Sequence, residues 1–175
     1  TDVEQAYGAA DLALLSRHLV QGPVDQAFDA DHRLLHVVMG DGSLGTLTLY
    51  RSEAITAWSA QSVETAAFRA VAVAGGQVYL CLERDGQFYL GRFDDACGLD
   101  LSITARLIDG EEPRRHWGGF DDLENVTLAV WADGRLYRDI TVSGGTISLP
   151  DAVSTVVAGL PFTHQIAALP PAGSD

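Results

Sequence analysis

Residues 116–170 read HWGGFDDLENVTLAVWADGRLYRDITVSGGTISLPDAVSTVVAGLPFTHQIAALP, and the period of their apolar positions decides the fold class. Val126, Leu128 and Val130 alternate with Thr127, Ala129 and Trp131. That period of two places successive side chains on opposite faces of a strand. Asp133-Gly134 supplies a hairpin turn, and Tyr137, Ile140 and Val142 continue beyond it. Gly144-Gly145 turns the chain again into Ile147-Ser148-Leu149. Pro150, with no N–H to give a ladder, is expected to stop that strand. Val153–Ala158 is a nearly continuous apolar run leading to Gly159-Leu160-Pro161-Phe162, and Ile166–Leu169 closes the segment. At least five short strands in roughly 50 residues predict a small closed or sandwiched β-module, since closure removes sticky edges.

Upstream, the same period recurs. Leu34–Met39 reads as a strand, Asp41-Gly42 turns it, and Gly45–Arg51 returns with Leu47 and Leu49 on one side. Ile55–Ser59 carries Trp58, Phe68–Ala74 and Val78–Arg84 flank Gly75-Gly76, and Asp85-Gly86 leads into Phe88–Phe93. Antiparallel strands joined by Asp-Gly or Gly-Gly predict propeller-blade-like or curled sheet. Asp-Gly returns at 109 and 133 without any repeat of its flanks, so turn chemistry is shared and no sequence repeat is read. Only Glu4–Val20 has helical spacing, with Ala6, Ala10, Ala13, Leu14 and Leu19 on one stripe and Gly22-Pro23 to end it. The turn-rich, acidic stretch Asp94–Arg115 reads as a connecting arm. The expected organisation is therefore an N-terminal helix over 1–22, an antiparallel β-module over 23–110, a small C-terminal β-barrel or sandwich over 115–170, and a frayed tail over 171–175. The fold class is mainly β.

The 175 residues carry a formal net charge of −13, and all eleven basic residues are arginine. So negative a surface repels phosphate backbones and anionic headgroups, which argues against a broad nucleic-acid-binding face. Hydrophobic residues at 47% suffice for a core, and no run approaches the ~18 apolar residues of a membrane span. The opening residues show no basic segment followed by an apolar one, so neither an export signal nor membrane insertion is expected, and the chain reads as soluble. Cys81 and Cys97 have no Cys-x-x-Cys spacing, and Cys81 sits in an apolar run where a buried thiol is the default.

The run Leu123-Glu124-Asn125-Val126-Thr127 with Ala132-Asp133-Gly134, then Thr146–Pro150 and Val157–Phe162, resembles a recurring C-terminal module of bacteriophage virion proteins. The nearest group is the tail tubular (nozzle) proteins of short-tailed phages and related phage-like particles. Asp11–Leu15 to His18-Leu19, Arg33–Trp58, Phe68–Val73 and Val78–Arg84 extend the resemblance over most of the chain. It implies a non-enzymatic structural component of a tail, with other virion proteins and copies of itself as partners. It also implies assembly in the host bacterial cytoplasm and residence in the virion. Proteins of that family are usually longer, so the chain is expected to be a C-terminal fragment or a trimmed relative. The motifs are structural, and no catalytic residue is carried over.

Motifs for chemistry are weak. Gly40-Asp41-Gly42-Ser43-Leu44-Gly45 matches a dinucleotide fingerprint in letters, but the alternating Thr46–Tyr50 follows where a helix is needed, so a hairpin loop is the reading. His32 and His36 on an extended segment stand about 13 Å apart, too far to share zinc. Asp94-Asp95, Glu111-Glu112 and Asp121-Asp122 read as solvated turns, not calcium ligands, and no cofactor or metal site is expected. No G-x-S-x-G elbow is present, and no enzymatic activity is expected. Trp58 and Trp131 read as core. Arg114, Arg115, His116, Trp117 and Phe120 form the single basic-aromatic cluster. It could contact a partner subunit, stack on a host surface glycan, or pack at the module junction. A carbohydrate- or receptor-binding module is thus the alternative function, and a glycan hydrolase with two facing carboxylates the second.

Overall fold

A computed structural model describes residues 12, 16–50, 53 and 55–162. It is mainly β, built from antiparallel sheets of which none closes. The chain divides into two compact units, Thr1–Asp94 and Asp95–Asp175.

The first unit begins with a 3-10 turn at Arg17–Leu19 that lacks a side-chain cap at Ser16. Most of the helix expected over Glu4–Val20 lies outside the described residues, and no N-terminal α-helix stands among them. Strands β1 (Pro23–Asp29), β2 (Leu34–Met39), β3 (Leu44–Tyr50) and β4 (Ile55–Gln61) follow as a meander, paired in sequence order. The Gly40–Gly45 segment is the β2–β3 hairpin loop, as its alternating sequel required. Met39 N–H donates to the Ser43 carbonyl (2.9 Å), and the Asp41 carboxylate accepts from the Ser43 N–H and hydroxyl. A second sheet orders β5 (Ala67–Ala74), β6 (Gln77–Arg84) and β7 (Gln87–Arg92). Val37, Val38, Met39, Leu44, Leu47, Phe68, Val71, Val78, Leu80 and Leu82 are buried in this unit. Cys81 and Cys97 are unpaired thiols, each half-buried, so Cys81 is less enclosed than its apolar run suggests.

In the second unit β8 (Asp100–Arg106), β9 (Arg114–Gly118), β10 (Thr127–Ala132), β11 (Arg135–Thr141), β12 (Thr146–Val153) and β13 (Thr155–Leu160) form two sheets. One has the order β11-β10-β13-β8 and the other pairs β12 with β9. The expected connecting arm therefore contributes β8 and the start of β9, and the two units divide at Asp94, where that arm begins. Leu101 at φ +47 bulges β8, and a Cβ on Gly159 opposite would stand 2.7 Å from the Asp100 carbonyl oxygen. Only glycine admits that close approach.

Pro150 does not end its strand, because β12 continues to Val153. Among the described residues β12 is paired on one side only, and its register with β9 breaks between Ser148 and Val153, so the missing N–H leaves no ladder bond unmade. The Gly144-Gly145 turn before β12 is fastened by the Glu124 carboxylate, which accepts from both N–H groups at 3.0 and 2.8 Å. Those bonds, Gly145's first, hold the Glu124 pKa below its ordinary value. Side chains of both sheets meet in one apolar cluster around Trp117, Phe120, Leu128, Val130, Ile147 and Val156. The strand expected at Ile166–Leu169, His164 and the 171–175 tail lie outside the described residues.

Candidate functional site

The cluster at 114–120 separates into two environments. Trp117 and Phe120 are 0% exposed, in the core of the second unit, while Arg114, Arg115 and His116 stay on the surface. Trp117 is held from above and from its polar end. The Arg114 guanidinium carbon lies 4.3 Å from the ring centroid, and the indole N–H donates to the Arg114 carbonyl oxygen (3.1 Å). A buried indole with its N–H satisfied is a packing element, so the aromatic half of this cluster is not open to a sugar or a partner. His116 Nδ1 lies 2.9 Å from the Ser148 hydroxyl, across the β9–β12 pair.

The tryptophan that faces solvent is Trp131, 51% exposed, although its place within a strand suggested core. The signal was in the alternation itself. Leu128 and Val130 point into the core, so Thr127 and Trp131 emerge on the other face. Across the sheet Trp131 stands opposite Leu136 on β11 and Val157 on β13, and Val157 stands opposite Thr104 on β8. Leu136 is exposed and Val157 half-buried, so an apolar row crosses three strands and ends in a threonine. Trp58 is half-buried on β4, and its indole N–H donates to the Leu12 carbonyl oxygen (2.9 Å).

Polar clusters elsewhere fasten turns. The Asp133 carboxylate accepts from Ser154 and Thr155 N–H groups (2.7 and 3.0 Å). Asp151 accepts from Tyr137 Oη (2.9 Å) and Arg135 Nη1 (2.8 Å). Desolvation, then the Asp151 bond, raises the Tyr137 pKa. Among the described residues no three His, Cys, Asp or Glu side chains gather as a metal-holding group, and no helix is long and apolar enough to cross a membrane.

Two buried ionisable groups sit in the first unit. Asp29, at the end of β1, accepts from the Asp31 and His32 N–H groups and lies 2.7 Å from His32 Nδ1. The side-chain bond to His32 is the main reason its pKa falls below 3.8. His36 Nδ1 lies 3.0 Å from the Thr46 hydroxyl, which itself donates to Gln61 Oε1. Its Nε2 is buried with no hydrogen-bond partner among the described residues, and Phe93 tilts against the ring at 5.8 Å. Burial lowers the His36 pKa from 6.5, against the opposing charge of Asp29.

Both shifts have the same consequence. The unfolded chain binds a proton on His36 more readily than the folded one, so stability is full above pH 6.5 and falls as pH drops below it. Asp29 contributes stability above its ordinary 3.8 and loses it as pH falls through the lower folded value. Thermal unfolding followed by circular dichroism should therefore show a midpoint that drops between pH 7 and 5, then again below pH 4. His36→Gln should remove the first decline, and an unchanged wild-type midpoint from pH 7 to 5 would refute the assignment.

No model of a known protein family matches the sequence, and the search of curated proteins returns no match.

Proposed function

We propose that the chain is a non-enzymatic building block, acting through contacts between subunits, and that its setting is the tail of a phage or phage-like particle. The observation that carries the first half is the row Leu136–Trp131–Val157 on the outer face of the β11-β10-β13-β8 sheet. A large indole beside two aliphatic side chains is the composition of an interface centre, and lone exposed hydrophobics would need no such reading. The resemblance to nozzle-type virion proteins supports the second half. With it come other tail proteins as partners, assembly in the host cytoplasm and a blade-like role for the β1–β4 meander.

The same row supports a second reading. A flat indole on a sheet face that also carries Thr155, two residues from the Val157 opposite it, and Thr104 on the next strand offers a stacking face and hydroxyls, which is what a glycan-binding module on a tail needs. Hydroxyl-radical footprinting separates the two. Under the assembly reading, Trp131 oxidation falls at least about threefold as protein concentration rises from micromolar to millimolar, the range of modest subunit affinities. Oxidation unchanged by concentration, but suppressed by host-surface polysaccharide, would contradict assembly through this row and support the glycan reading.

A further inference from the structure

Among the described residues strand β7 is the outer strand of the β5-β6-β7 sheet. The opposite edge of that sheet is fastened. Val71 N–H on β5 donates to the Asp25 carboxylate (2.9 Å), and Phe68 N–H donates to the Gly42 carbonyl oxygen (2.9 Å). β7 instead pairs with β6 in unbroken register from Tyr79↔Arg92 to Arg84↔Gln87. Arg84 and Gln87 close a two-residue turn at Asp85-Gly86, so the hydrogen-bonded pairs fall at Gln87, Tyr89 and Gly91. The N–H and C=O groups of Phe88, Leu90 and Arg92 then point away from the sheet.

Exposed edges are ordinarily blunted by lysine, proline or a bulge. β7 has none of these, and it carries Phe88 at 66% and Leu90 at 81% exposure, Leu90 being the most exposed large hydrophobic among the described residues. Its ends carry opposite charges, with Asp85 in the turn, 3.5 Å from the Arg84 Nε yet still largely exposed, and Arg92 exposed at the close of the strand. Two such strands brought together antiparallel set each arginine beside the other copy's Asp85. The same register sets Phe88 opposite Leu90, both with outward backbone groups, and places Tyr89 opposite itself. A two-fold contact requires one patch to complement itself, and this strand does.

We propose that the open edge of β7 is a homotypic interface, at which a second copy of this chain adds its own β7 about a two-fold axis at Tyr89. The proposal rests on the assembly reading and names the partner and the strand. Sedimentation equilibrium of the wild type, Leu90→Lys and Phe88→Lys tests it, with circular dichroism as the control on folding. The wild type should be at least a dimer, and each variant should raise the dissociation constant of the β7 contact by at least about tenfold with the β signal unchanged. A wild type that stays monomeric up to about 0.5 mM overturns this interface and the assembly reading together. Association that persists unchanged in both lysine variants overturns the β7 interface and leaves the assembly reading standing. Should a lysine variant lose its β signal, Tyr89→Cys decides against the wild type oxidised in parallel. A covalent dimer across the two-fold axis supports the interface, and its absence overturns it.

Discussion

Trp117→Ala should destabilise the second unit by about 3–5 kcal/mol, the range for removing a fully buried tryptophan from a core. The side chain sits in the cluster shared by both sheets of the unit, together with Phe120, Val153 and Ile147, the last its cross-strand partner. Truncation empties the centre of that cluster, and the Arg114 carbonyl and guanidinium lose the indole they face. Trp117→Phe keeps most of the volume and forfeits the N–H bond, so it should cost less, roughly 1–2 kcal/mol. Urea unfolding by circular dichroism measures both, and hydrogen exchange assigns the loss to residues of the second unit. A cost for Trp117→Ala below about 1 kcal/mol would mean that the indole is a surface platform after all, since surface changes usually stay within about ±0.5 kcal/mol.

The second large effect is expected in the first unit. Gly42 has φ +88, and a Cβ there would lie 2.6 Å from the Ala67 Cβ and 3.2 Å from its Cα. The residue cannot retreat. Its N–H donates to the Met39 carbonyl oxygen (3.0 Å), and its own carbonyl accepts from Phe68 (2.9 Å). Gly42→Ala therefore combines an unfavourable backbone region with overlap against fixed backbone, at about 2–4 kcal/mol. Gly86→Ala is the control, because Gly86 has a similar φ of +75 and open space around it, and should cost only about 1–2 kcal/mol. Equal effects would mean that backbone strain alone governs Gly42 and that its contact with Ala67 carries nothing.

These two residues show what the sequence made legible. The Gly40–Gly45 segment could be read as a hairpin because alternating residues follow it, and the strands from Leu34 to Phe93 could be read from period and turn residues. Three strands, β1, β8 and β9, escaped, β8 because it lies in the turn-rich stretch read as a connecting arm. β1 opens on Pro23 and mixes polar with apolar residues, and β9 is five residues of which only Trp117 is buried. Pro150 misled because a proline's cost depends on whether its strand is paired on one side or two, which a sequence does not state. The candidate site was legible by half. A basic-aromatic cluster looks alike whether its rings are exposed or buried, and strand alternation around Val130, which separates the two cases, was outweighed at Trp131 by residue type.

The proposed building-block role works through the apolar row and the open strand edge. Light scattering across a concentration series, on the wild type beside the double variant Trp131→Asp with Leu90→Lys, tests it most directly. The wild-type molar mass should climb to at least twice that of the monomer, and the double variant should stay monomeric with its β signal intact. A wild type that remains monomeric throughout the series would contradict it.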